Sequence, residues 1–249
     1  MEKCLQEHKA VCGAVSNFPP TLPKRVINVA SDPPSLYIGS GKRCPYAILS
    51  HCWGRNKLKP IRTTSDNLSD RCKAIPWDIM PKTYQDAVTA TRGLNIKYLW
   101  IDSLCILQKR KSGGPSDPDS TKDWLEESLK MEDYYGNATI TIEASYATDD
   151  TIGCFAKRGP PNAPLNRRAW CLQESTMSAR ILSFEAEQMT WQCFCFQANE
   201  LVPGGQSLPL DYVWIPPLRD MIAKSRGAAI DYVQGFKKNM IWDAWRKAL

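Results

Sequence analysis

Cys4, His8 and Cys12 stand four residues apart, a spacing that lines all three side chains along one face of a helix. Sulfur and imidazole one turn apart are how a zinc site begins. No obvious fourth ligand follows, and the chain has only 2 His, so the trio is a weak metal candidate and a half-buried N-terminal helix is the favoured alternative. A second concentration of reactive types runs Ser50, His51, Cys52, Trp53, Gly54, and a third runs Asp102, Ser103, Cys105. A nucleophilic cysteine at Cys105 needs an activating base, and His51 is the only histidine of the main body, which makes Cys/His hydrolysis a minor reading. Asp102 is equally suited to capping a turn, and the Trp53-Gly54 pair to a turn with a core indole.

The elements around these residues follow from periodicity. Residues 46–50 (YAILS) form a short apolar run opening into a loop, which reads as a buried strand. Residues 81–93 show helical spacing at Tyr84, Ala87, Val88 and Thr91, with Thr83 placed as N-cap and Gly93 as the stop. Residues 97–103 then read as a second buried strand that delivers Asp102 and Ser103 at its end, completing a βαβ unit. Residues 109–121 are loop-like by composition, and 123–135 are helical, with Trp124, Leu125, Ser128, Met131 and Tyr135 on one face. A strand at 138–144, helical pattern at 168–177, and strands at 180–184 and 189–196 complete the alternation. Upstream, 25–29 and 36–38 suit a short hairpin; downstream, 218–229 and 239–249 are amphipathic.

That order predicts an α/β fold with a doubly wound, mainly parallel sheet, an appendage at 1–45, a main domain at 46–200 and an extension at 201–249. The 249 residues are 43% hydrophobic and 23% charged, enough for a core. A net charge of +6 is spread among both signs rather than gathered in a basic block, which argues against nucleic acid as a partner. No apolar run is long enough for a membrane span and the first residues lack a secretory signal, so a cytoplasmic protein with reduced cysteines is expected.

Several blocks resemble the fungal heterokaryon-incompatibility (HET) domain: YAILSHCWG at 46–54, YLWIDSLCILQ at 98–108, the stretches at 123–131 and 135–138, and RAWCLQE at 168–174. The resemblance implies an effector of fungal non-self recognition and regulated cell death, but no particular reaction. WCLQE at 170–174 is similar to a signature of plant Toll/interleukin-1 receptor (TIR) domains, some of which cleave NAD at the nicotinamide glycosidic bond. That more distant likeness implies a flavodoxin/TIR-like sheet with Glu174 as the catalytic carboxylate and NAD as substrate.

In such a sheet, ligands collect outside the carboxyl ends of the strands. A carboxylate there can stabilise an oxocarbenium-like centre and orient ribose hydroxyls or a water. Glu174 and Asp102 are the catalytic candidates. Ser50, His51, Trp53, Gly54, Ser103, Cys105, Tyr146, Arg168 and Trp170 are the substrate-binding ones: Trp53 to stack on a ring, Arg168 to pair with a phosphate. A structural role for Glu174 is the competing reading. No GxGxxG or P-loop occurs, so no prosthetic group is expected. The expected partners are a nucleotide substrate and either self-association or other cell-death proteins. A non-catalytic assembly module, and a metabolic enzyme reusing the fold, stay open as alternatives.

Overall fold

The computed structural model describes residues 1–8, 12, 19–39, 41–53, 61–110, 117–155, 165, 174–175 and 177–207. The two amphipathic C-terminal stretches, together with Gly54, Arg168 and Trp170, lie outside the described residues.

A nine-stranded sheet runs through the molecule in the order β2-β1-β4-β3-β5-β6-β7-β8-β9. At its heart are β3 (Tyr46–Ser50), β4 (Tyr98–Trp100), β5 (Ile140–Glu143) and β6 (Arg180–Phe184), joined by parallel pairings. Every residue of β3, β4 and β5 is buried, as expected of parallel strands covered on both faces. Tyr46, Ile48, Leu49, Leu99, Trp100, Ile140 and Ile142 form the core there.

The expectation of a mainly parallel sheet is corrected by the flanks, which make the sheet mixed. β1 (Arg25–Asn28) pairs antiparallel with both β2 (Ser35–Ile38) and β4. On the other side β7 (Met189–Cys193), β8 (Phe196–Asn199) and β9 (Gln206–Ser207) follow β6 as an antiparallel meander. Only residues 185–188 and 194–195 separate β6 from β7 and β7 from β8, too few for the crossover a parallel pair needs. The single strand expected at 189–196 is therefore two strands with a tight reversal between them.

Helices α1 (Glu2–Glu7), α2 (Leu68–Lys73), α3 (Lys82–Gly93), α4 (Asp102–Cys105), α5 (Pro118–Ser128) and α6 (Met131–Asn137) supply the connections. α3 buries Tyr84, Ala87, Val88 and Thr91, the face its spacing predicts. Its cap differs: Pro81 holds the N-cap position without a side-chain bond. Thr83 lies inside the first turn, where its hydroxyl accepts the Gly153 amide at 3.1 Å. α5 starts earlier than its apolar pattern implies, because Asp117 accepts the Ser120 amide and Pro118 sits in the first turn, a strong start signal.

The buried face of α5 is polar. Ser120, Asp123 and Glu127 are buried, while Trp124 is 50% and Leu125 56% exposed. The acids are inside because each has partners there. Asp123 pairs with Arg25 and accepts from Lys24 Nζ at 2.8 Å and the Leu107 amide at 2.8 Å. Glu127 accepts from Tyr134 OH at 2.8 Å and Lys130 Nζ at 3.1 Å. Among the described residues no helix is long and apolar enough to cross a membrane.

Candidate functional site at the carboxyl edge of the parallel strands

Ser50 ends β3 and Glu143 ends β5, and the two are direct neighbours in the parallel register. Each bonds to one of two consecutive residues of a following segment: Ser50 Oγ donates to Glu174, and Ser175 Oγ donates to Glu143 Oε1 at 2.5 Å. A third link lies one turn on, where Ser178 Oγ donates to the Glu174 carbonyl at 2.7 Å and lies 2.5 Å from Thr141 Oγ1 on β5. The Glu174 side chain is thus anchored at the point where β3 and β5 meet, and it is half-buried rather than sealed. Burial pushes the Glu143 carboxyl above its ordinary range, opposed by the Ser175 hydroxyl. Next along, Ser145 Oγ lies 2.7 Å from Ser183 Oγ, and the half-exposed Tyr146 donates its amide to Phe184 O at 3.2 Å.

The β3 and β4 ends form a second, contiguous group. His51 is buried with Nε2 3.0 Å from Tyr84 OH, and that hydroxyl lies 2.7 Å from Ser103 Oγ. The rings of His51 and Tyr84 meet edge to face with centroids 5.1 Å apart. Desolvation raises the Tyr84 phenol well above its ordinary value, so it stays protonated and links the two side chains as donor and acceptor. Trp53 donates its indole N–H to Asp102 Oδ2 at 2.9 Å, while Asp102 Oδ1 takes the Ser103 amide at 2.7 Å. One Asp102 oxygen thus takes an amide in the first turn of α4, and the other holds the Trp53 ring.

Cys105 does not join the edge. It is fully buried, its Sγ accepts from the Ile101 amide at 3.5 Å, and burial pushes the thiol up to about 12, the opposite of what a nucleophile requires. Ser103 is also fully enclosed and faces Tyr84. The structure therefore gathers Ser50, Glu174, His51, Trp53, Asp102 and Tyr146 at the strand ends, with Ser103 behind them. Sequence reasoning missed Tyr84, Glu143 and Ser175. Tyr84 looked like an ordinary core position of α3, and Glu143 like a strand residue, because neither carries a motif of its own.

A mixed α/β sheet whose parallel heart gathers carboxylates, hydroxyls and an indole at its carboxyl edge is the frame of the candidate site. Residues 46–164 match the family model described as heterokaryon incompatibility protein (HET). The match covers just under half of the chain and ends before Glu174. No curated protein and no solved structure matches the chain significantly.

Proposed function

We propose that the chain is an effector of heterokaryon incompatibility and that its carboxyl-edge site cleaves the bond between nicotinamide and ribose in NAD. The observation that carries this reading is the anchoring of Glu174 between Ser50 and the Ser175–Glu143 contact, at the last paired residues of β3 and β5. The parallel heart has its second strand beside its first, then its third and fourth, the flavodoxin-like order whose ligand crevice falls between first and third. The general preference for right-handed crossovers in such an order, which places helices on both faces, supports the reading.

In the proposed reaction the C1′–N bond breaks, nicotinamide leaves with the bonding electron pair, and water supplies the new C1′ oxygen, releasing a proton. The products are ADP-ribose, nicotinamide and H⁺. Glu174 stabilises the developing positive charge and orients the ribose hydroxyls. Ser50 holds the carboxylate, and Asp102 holds Trp53 for a ring to stack on. Arg168 is assigned to a substrate phosphate, and Gly54 and Trp170 to substrate binding, from the sequence alone.

Purified protein incubated with NAD under crowding tests the proposal. Nicotinamide release that depends on Glu174 is expected. No release from the wild type, or equal release from Glu174→Ala, overturns it.

A specific observation also favours an assembly role. Trp124, Leu125 and Leu129, the last 85% exposed, present apolar surface on and beside α5. Self-association through this face is compatible with catalysis at the carboxyl edge, and substitutions in the two places separate the roles.

A further inference from the structure

The His8 amide donates to Cys4 O at 3.2 Å, and the Cys12 amide donates to His8 O at 2.8 Å. Those bonds put Cys4, His8 and Cys12 on one face. The face packs on β7, which brings in Cys193 from the far end of the chain. His8 Nδ1 lies 3.4 Å from Cys193 Sγ, and the four ligand atoms all lie within 4.8 Å of one another. Cys4, Cys12 and Cys193 are 2%, 0% and 3% exposed. In a tetrahedral thiolate site with Zn–S bonds near 2.3 Å, sulfurs stand about 3.8 Å apart, so the cluster needs a contraction of only about 1 Å.

A second observation concerns charge. Arg180 is buried on β6 opposite Cys193 in the register, and its Nε points at Cys4 Sγ from 3.2 Å. Its Nη1 reaches only the Thr139 carbonyl, at 3.4 Å, and among the described residues no carboxylate pairs with it. A buried guanidinium facing a neutral thiol is poorly compensated; facing a metal thiolate it is not. Three thiolates and a neutral imidazole around a divalent ion carry one net negative charge, which the guanidinium balances. Plain thiol packing explains buried cysteines, but it explains neither the convergent imidazole nitrogen nor the aimed guanidinium.

We propose that Cys4, His8, Cys12 and Cys193 bind a structural zinc ion that fastens the N-terminal helix to the antiparallel side of the sheet. All four positions are taken by protein ligands, which marks a closed structural site rather than a catalytic one. All four ligands, on α1, just after it and on β7, lie outside residues 46–164. The ion therefore ties the segments on either side of that stretch to each other. Arg180 is a positioning residue for the cluster.

The test is metal analysis of the full chain, purified under thiol-reducing conditions without chelator. One zinc per chain is expected. Exchange into Co²⁺ should give the thiolate charge-transfer and strong visible bands of a tetrahedral sulfur-rich site. Cys193→Ser should lose the metal, and Cys193→His should keep it with weaker charge-transfer intensity. Cys195→Ser should retain full occupancy, although Cys195 Sγ lies 4.0 Å from Cys12 Sγ. Arg180→Gln should weaken zinc affinity by about 10- to 100-fold, as loss of an outer partner does. A wild-type chain that takes up neither Zn²⁺ nor Co²⁺ overturns the assignment, whatever the variants do. So does metal that survives Cys193→Ser and disappears in Cys195→Ser.

Discussion

Asp123 shows how one side chain can reverse the sense of a helix. Burial alone would raise its carboxyl, but Arg25, Lys24 and the Leu107 amide hold it down at about 2. The unfolded chain takes up the proton first as pH falls. The contribution, on the order of 2 kcal/mol, is complete above about pH 4 and is lost as pH falls towards 2. Asp123→Asn leaves Arg25 buried and uncompensated, and urea denaturation at neutral pH should show a loss of about 3–5 kcal/mol. Glu143 carries the opposite sign. Its carboxyl is raised by burial, so the native state holds the proton more tightly, and stability falls as pH rises from the ordinary glutamate value through the raised one. Glu143→Gln keeps an oxygen for Ser175 and removes that ionisation. Its melting temperature relative to wild type should therefore rise between pH 4 and pH 8. Motif reading placed Ser50, Glu174, Asp102 and Trp53 at the same edge of the sheet, because strand ends are visible in sequence. It did not place Cys105 inside the core or find the Tyr84 link, because those depend on which way a side chain turns after the strand stops.

The exposed apolar stretch of α5 is the consequence one scale up. Periodicity identified a helix near 123–135 and its apolar stripe, but the side of α5 against the core carries buried acids with their own cations. Apolar spacing reports a face, and only the partners of the acids decide which face is inside. Trp124→Ser combined with Leu129→Ser should leave unfolding free energy within about 0.5 kcal/mol while removing concentration-dependent association in sedimentation velocity. Unchanged association in that variant would locate self-association elsewhere. The turn before Phe155 is more exacting. Gly153 has φ +91, and a Cβ there would lie 2.5 Å from Asp86 Oδ2 and 2.8 Å from Lys82 Cγ. Gly153→Ala should cost about 1–3 kcal/mol in equilibrium unfolding.

At the scale of the molecule, a four-stranded parallel heart carries the site and antiparallel strands extend it on both sides. The heart was legible because its strands are continuous apolar runs separated by helical patterns. The extensions were not: β7 and β8 share a single β-rich stretch, and nothing local reveals the reversal at 194–195. The same limit hid Cys193 as the fourth member of the N-terminal cluster, 185 residues from His8. The proposed chemistry rests on the arrangement of strand ends around Glu174. Its test is nicotinamide release from NAD, followed for wild type and Glu174→Gln at matched thermal stability. Release by the wild type is expected, reduced at least about 100-fold in the variant, the scale of a lost catalytic group. Release of equal size from both proteins, or from neither, would contradict it.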